Sequence, residues 1–134
     1  MKILIDTHIA IWAMTDRNKL PKEFLDKLKD LNNKIYVSIV SVWEVAIKNI
    51  KNNKKMPMTE KDFVDFCKGM DLEIMPVKLA HIMNLRNLKM KNENILHKDP
   101  FDRMMIAQCE HEDIEFWTRD ENLKNYNYDK IYIV

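Results

Sequence analysis

The sequence predicts an α/β protein, built as a three-layer α/β/α sandwich around a central parallel sheet. Short apolar segments alternate along the chain with longer segments whose apolar residues recur at helical spacing. The first segment, residues 2–5, is an apolar run of the kind that is buried on both faces of a parallel sheet. Right-handed crossovers between such strands place helices on both faces of the sheet.

The strands follow from short apolar runs between polar turns such as Asn32-Asn33. The predicted strands are, in chain order, residues 2–5, 35–37, 73–77, 114–118 and 130–134.

The helices follow from apolar periodicity and from their capping residues. Thr59 and Asp62 have the spacing of a capping pair, and the helix that they open ends at Gly69. Asp99 before Pro100 predicts another helix start, because proline suits the first turn. The predicted helices begin near His8, Pro21, Ser38 or Ser41, Thr59, Leu79, Pro100 and Asp120.

Length and composition indicate one ordered domain spanning residues 1–134, because 134 residues with 46% apolar content suit a single core. The formal net charge of +1 excludes a uniformly basic nucleic-acid coat, so any such contact must come from local patches or bound metal. The N-terminus carries Asp6 inside its apolar run and does not read as a signal peptide. No apolar stretch approaches the roughly 18 residues of a membrane span. We therefore expect a soluble cytoplasmic protein without membrane contact.

The cysteines and the single glycine limit the chemistry that a site in this chain can use. Cys67 and Cys109 lie among apolar neighbours and are interpreted as buried free thiols, which fits a reducing compartment. Gly69 is the single glycine, which excludes a glycine-rich phosphate-binding loop. A protein of this composition that handles phosphate is expected to use metal ions instead.

Four acidic residues fall close to the edge of the predicted sheet where ligands bind in open α/β folds. Asp6 follows the first strand, Glu44 lies early in the helix after the second, and Asp120 follows the strand IEFWT. Asp102 lies in the first turn of the helix that precedes that strand. Carboxylates repel one another, and Mg²⁺ or Mn²⁺ removes that penalty because these ions prefer oxygen ligands. Phosphodiester hydrolysis is the reaction that such a site serves best.

Each acid also has a structural interpretation. Asp6, Asp99 and Asp120 can each cap a helix. A lone buried Glu44 is unusual unless it is paired or bound to metal. From the residues alone, Asp99 and Asp102 remain alternatives for the acid of their segment.

Read together, the segments ILIDTHIAIWA, VSIVSVWEVAIK, HKDPFDRMMIAQ and FWTRDENL resemble the PIN domain, in particular the VapC-type toxins of toxin–antitoxin pairs. The resemblance covers essentially the whole chain. It implies an α/β/α sandwich and Mg²⁺- or Mn²⁺-dependent endoribonuclease activity. It implies that metal is held by Asp6, Glu44, Asp102 and Asp120, with Asp99 as a further candidate and Thr7 and Thr118 in support.

Basic residues beside these motifs are candidates to meet substrate phosphates, although solvated charges account equally well for each: Lys48, Arg103 and Arg119. His8 and His97 flank the site in sequence and are interpreted as packing or capping residues rather than ligands. The three tryptophans are interpreted as core or rim packing.

The favoured hypothesis is a toxin ribonuclease that forms a homodimer and is inhibited by an antitoxin protein. A PIN nuclease of RNA processing outside a toxin pair is a close alternative. A non-catalytic acidic receiver or binding module on a doubly wound fold fits less well, because the first strand offers one acid followed by Thr7 and Glu44 lies in a helix.

Overall fold

A computed structural model describes residues 1–94 and 98–134 of the chain. The strands in this part are β1 (Lys2–Ile5), β2 (Lys34–Ser38), β3 (Glu73–Met75), β4 (Glu115–Thr118) and β5 (Ile131–Ile133). The α-helices are α1 (Thr7–Thr15), α2 (Lys22–Lys29), α3 (Ile39–Lys51), α4 (Glu60–Gly69), α5 (Leu79–Met83) and α6 (Pro100–Glu112). Three 3₁₀-helices cover Arg17–Lys19, Asn84–Asn87 and Glu121–Asn125.

The five described strands form one parallel sheet in the order β3-β2-β1-β4-β5. The chain winds from β1 outward to β3 and then crosses back to place β4 on the other side of β1. This reversal leaves a crevice at the carboxyl end of β1, where open α/β sheets bind ligands. The predicted α/β/α sandwich with a central parallel sheet is confirmed.

Two apolar cores lie on opposite faces of the sheet. The alternation of β1 directs Ile3 and Ile5 into one core and Leu4 into the other. The first core packs against residues of α1, α2 and α4, and the second packs against α6. Helix α3 reaches both, through Val45 in the first core and Val40 in the second.

Capping residues fix several helix starts as predicted. Thr59 and Asp62 form a complete capping box at α4, and Ser38 accepts from the Val40 backbone N–H at α3. Asp99 accepts from the backbone N–H groups at the start of α6, 2.9 Å from Phe101 N. Pro21 is the N-cap of α2 rather than part of its first turn.

Other predicted bounds change for local reasons. The strand predicted over 73–77 ends at Met75, since Pro76 lacks the N–H that a further ladder hydrogen bond requires. The helix predicted to begin near Leu79 ends at Met83, and a 3₁₀-helix over Asn84–Asn87 follows it. Cys67 and Cys109 are buried and free. Within the described residues, no helix has the length and apolar character needed to cross a bilayer.

Candidate active site

Asp6 lies at the carboxyl end of β1 and is 6% exposed. One oxygen, Oδ1, accepts from the Ile9 backbone N–H at 2.9 Å and so caps α1. The other, Oδ2, accepts from the Thr118 hydroxyl at 2.5 Å and from the Arg119 backbone N–H at 3.1 Å. The carboxylate is therefore held between the ends of the neighbouring strands β1 and β4.

Glu44 reaches the same place from α3 and is 7% exposed. The Thr7 hydroxyl lies 2.9 Å from Glu44 Oε1 and 2.8 Å from Ser41 Oγ. The Lys48 ammonium, one helical turn further, forms an ion pair with Glu44 Oε2. A buried carboxylate thus has a hydroxyl on one oxygen and a cation on the other, which compensates its burial.

Acids from four regions of the chain line one cavity of about 440 Å³ at this edge. Asp99 and Asp102 come from the start of α6, and Asp120 follows β4. Asp120 Oδ1 also accepts from the Asn122 backbone N–H at 3.0 Å, as a cap of its 3₁₀-helix. The full lining is Asp6, Thr7, His8, Trp12, Glu44, Lys48, Asp99, Asp102, Arg119 and Asp120. We call this space the carboxylate cavity.

The acids of the carboxylate cavity are close enough to perturb one another. Burial raises the pKa of Asp102 to about 8, and nearby acids add to the rise: Asp99, Asp6, Glu44 and Asp120. Burial also raises the pKa of Asp6, while hydrogen bonds from Thr118 and two backbone N–H groups oppose that rise. The cavity concentrates negative charge that a cation would neutralise.

The three predicted phosphate-binding residues are placed differently. Lys48 and Arg119 line the carboxylate cavity, and the Arg119 guanidinium lies 5.0 Å from the Trp12 ring centroid. Arg103 does not line it. Its guanidinium donates to Tyr126 Oη at 3.3 Å and to the Leu85 carbonyl at 3.4 Å. Neighbouring helical positions point about 100° apart. Because Asp102 faces the cavity, the next residue faces away from it.

The sequence model of the PIN domain matches residues 3–127, which is nearly the whole chain. The chain belongs to the PIN domain family. No curated protein matches it by sequence. Membership agrees with the resemblance that the four sequence motifs indicate. Because PIN domains are a family of nucleases, membership supports a hydrolytic function.

Toxin–antitoxin complexes are among the solved structures with this fold. VapBC2 of Rickettsia felis, bound to a promoter DNA fragment, matches with a TM-score of 0.73 at 19% identity, covering 100% of this chain and 99% of that chain. DNA-bound VapBC of Salmonella typhimurium matches at 0.70 and 12% identity, covering 99% and 98%. A Klebsiella pneumoniae toxin–antitoxin complex matches at 0.62 and 17% identity, covering 98% and 99%. At these identities the likeness establishes the PIN fold.

The donor set of the PIN domain cavity suits a hard divalent cation, because its acidic side chains supply oxygen ligands. Across residues 1–94 and 98–134, no three His, Cys, Asp or Glu side chains already stand in a metal-holding arrangement. Mg²⁺ commonly keeps several waters and takes only one or two carboxylates directly. The acids are therefore compatible with an ion bound partly through water.

Some residues of the PIN domain site carry roles that the sequence interpretation did not give them. Ser41, which the sequence indicates only as a helix start, lies 2.8 Å from the Thr7 hydroxyl that contacts Glu44. The sequence predicts packing or capping roles for His8 and Trp12, and the structure places both on the cavity wall. The i, i+3 spacing of Ser41 and Glu44 on α3 is the one signal that places both on the same helical face. His97 lies outside the described residues, so its interpretation is untested.

Proposed function

We propose that this PIN domain is a Mg²⁺- or Mn²⁺-dependent endoribonuclease. The observation that carries the proposal is the convergence of five acidic side chains on one cavity at the carboxyl end of β1. Asp6, Glu44, Asp102 and Asp120 would hold the metal, with Asp99 as a further ligand. A bound divalent ion supplies a water of lowered pKa and stabilises negative charge on the phosphate.

The surrounding side chains orient these acids. The Thr118 hydroxyl and the Arg119 backbone N–H both donate to Asp6 Oδ2, so that oxygen keeps a fixed direction. Thr7 fixes Glu44 Oε1 in the same way. Lys48 balances the charge of Glu44 and lies at the cavity, where it would meet a substrate phosphate once the pair opens. The Arg119 guanidinium lies over the ring of Trp12, which belongs to α1.

We further propose that the domain acts as the toxin of a type II toxin–antitoxin pair, forms a homodimer and works in the cytoplasm. The shared fold with VapBC structures supports an antitoxin partner. An exposed apolar groove supports the homodimer, because Trp43 on it is 60% exposed. Its lining residues are Ile39, Val40, Trp43, Val77, Leu85, Pro100 and Met104. An antitoxin Arg or Lys that reached the carboxylate cavity would pair with its acids and exclude metal.

A PIN nuclease of RNA processing outside a toxin pair would use the same site. The neighbouring reading frame distinguishes the two, because a small adjacent antitoxin gene is expected only for a toxin.

The test of the nuclease is RNA cleavage by the purified chain with Mg²⁺, with Mn²⁺ and with EDTA. We expect cleavage of structured RNAs that needs metal and is lost in Asp6→Asn. Asp26→Asn is the matched control, since Asp26 is an exposed acid that pairs with Lys22 on α2. Equal cleavage by the parent and Asp6→Asn over a wide range of enzyme concentration would refute the proposed site.

A further inference from the structure

A second cavity, rich in lysine, adjoins the carboxylate cavity. It has a volume of about 390 Å³ and is lined by His8, Lys48, Lys51, Asn52, Lys55 and Met56. We call it the lysine groove. It shares His8 and Lys48 with the carboxylate cavity, so the two spaces have a common border.

Helix α3 accounts for this juxtaposition. Glu44, Lys48 and Lys51 occupy positions i, i+4 and i+7, which lie on one face of an α-helix. The helix face that carries Glu44 to the carboxylate cavity therefore also carries the ammonium groups of Lys48 and Lys51 over the next two turns. Charge changes sign along α3 at the border between the two cavities.

The loop after α3 places the third lysine. Asn52 Oδ1 accepts from the backbone N–H groups of Lys54 at 3.1 Å and Lys55 at 3.3 Å. The loop then returns to the helix, since the Met56 backbone N–H donates to the Asn52 carbonyl and Asn49 Nδ2 lies 2.8 Å from the Met56 carbonyl. These bonds fix Lys55 beside the last turn of α3.

Lys48 is paired with Glu44, but the other two lysines of the groove are not explained by local ion pairing. Lys51 and Lys55 are exposed and form no ion pair with any described acid. Lys22 and Lys61, on other helices, are paired with Asp26 and Asp65. Attraction to the helix dipole favours Lys51 in the last turn, but it does not account for Lys55, which lies beyond the helix.

We propose that the lysine groove binds backbone phosphates of single-stranded RNA flanking the bond that is cleaved. This inference rests on the proposed function, because the carboxylate cavity is then the place of the reacting phosphate. An RNA chain that leaves this cavity past Lys48 carries its next phosphates into the groove. Lysine recognises phosphate as a point charge and reads no sequence, so the groove supplies affinity and direction. An acidic protein segment would be the other anionic occupant, but it offers no phosphodiester for the metal ion that the adjoining cavity would hold.

The experiment measures binding of a fluorescein-labelled, mixed-sequence single-stranded RNA of about 20 nucleotides. Cleavage is prevented by Asp6→Asn in every protein, with Mg²⁺ present and salt varied over about 50 to 200 mM. The test variant is Lys51→Gln with Lys55→Gln. Its matched control is Lys22→Gln with Lys61→Gln, which removes the same charge from exposed positions outside the groove.

We expect the groove variant to lose about tenfold in affinity at the low-salt end. Its plot of log Kd against log salt concentration should be less steep by about 1.4, since each single-strand phosphate contact contributes about 0.7. With Asp6 restored, the same two changes should raise KM and leave kcat within about twofold. The control should keep the parent's affinity and slope.

Equal affinities and slopes for the two double variants would refute RNA binding by the lysine groove. If the parent cleaves RNA with Mg²⁺, the proposed nuclease function would still stand. A parent that neither binds nor cleaves RNA would overturn both. Tighter binding of poly-glutamate than of RNA, lost in the groove variant alone, would assign the groove to an acidic protein segment and overturn the RNA proposal.

Discussion

The two carboxylate oxygens of Asp6 have different hydrogen-bond partners. Oδ1 caps α1 through the Ile9 backbone N–H, and Oδ2 faces Thr118 and Arg119 at the end of β4. The sequence leaves capping and metal binding as alternatives for this residue, but the geometry permits both at once. Oδ1 accepts one of the two hydrogen bonds that its lone pairs allow, so the cap orients the carboxylate and leaves a site on that oxygen for a metal ion.

A substitution of Thr118 should disturb the orientation of the Asp6 carboxylate while leaving the fold intact. Thr118→Val keeps the shape of a side chain that is 0% exposed but removes its hydrogen bond to Asp6. Partners that orient a metal ligand are worth about 10- to 100-fold in activity or metal affinity. We expect a fall of that size in RNA cleavage and in Mn²⁺ affinity, measured together.

Thr118→Ser is the control, because it retains the hydroxyl and should retain at least about half of the cleavage rate. A Thr118→Val protein with the parent's cleavage rate and Mn²⁺ affinity would contradict this orienting role.

Asp102 gives a prediction for stability without metal. Its pKa in the folded chain is about 8, against an ordinary value of 3.8. Between these values the folded state holds a proton that the unfolded state has released, so stability falls as pH rises from about 4 to about 8. In EDTA, Asp102→Asn should remove much of this fall. We expect it to be more stable than the parent by about 1 to 3 kcal/mol at pH 9.

Urea unfolding of both proteins at several pH values measures this difference. Parallel stability profiles for the parent and Asp102→Asn would show that Asp102 ionises normally.

At the scale of elements, the N-cap of α6 allows the capping role of Asp99 to be tested separately from its negative charge. Asp99 Oδ1 accepts from Phe101 N at 2.9 Å and from Asp102 N at 3.3 Å. Replacing an N-cap aspartate by alanine costs about 1 kcal/mol, whereas asparagine caps nearly as well. Asp99→Ala should therefore lose about 1 kcal/mol of unfolding free energy, and Asp99→Asn should stay close to the parent. Equal losses in both variants would show that charge, not capping, is what Asp99 contributes.

Elements with local signals were predictable from sequence. The capping box of α4 and the Asp99-Pro100 start of α6 depend on residues within one turn, so their spacing determines them. The division of α5 from the following 3₁₀-helix has no such signal. The side-chain direction of Arg103 depends on packing against Tyr126 and Leu85, which are distant in sequence. For the same reason, Trp12 on the cavity wall was not predictable from its apolar neighbours.

The convergence of Asp6, Glu44 and Asp120 was predictable because parallel topology gathers the ends of strands at one edge. The choice of Asp102 over Asp99 came only from the family resemblance. The hydrogen-bond partners of the acids were predictable only in part. Thr7 and Thr118 follow from the family motif, and the i, i+4 spacing of Glu44 and Lys48 favours their ion pair. The contact of Ser41 with Thr7 joins residues that are distant in sequence, so no local signal predicts it. The bounds of the domain, 1–134, remain a prediction.

At the scale of the whole molecule, the exposed apolar groove around Trp43 predicts self-association of the isolated chain. We expect a mass of about twice 16.1 kDa by light scattering after size-exclusion chromatography. Trp43→Ser should shift the chain toward the monomer, because it removes a large apolar side chain from the groove. Leu31→Ser is the control, since Leu31 is 98% exposed and does not line the groove. A parent monomer would contradict the homodimer but not the nuclease.

The whole fold serves to bring dispersed acids to one place, and metal binding tests that account most directly. Calorimetric titration of the metal-free protein with Mn²⁺ should show binding that is lost in Asp6→Asn and in Glu44→Gln. The exposed control Asp26→Asn should bind like the parent. An absence of Mn²⁺ binding to the parent, or RNA cleavage that persists undiminished in EDTA, would contradict the central claim.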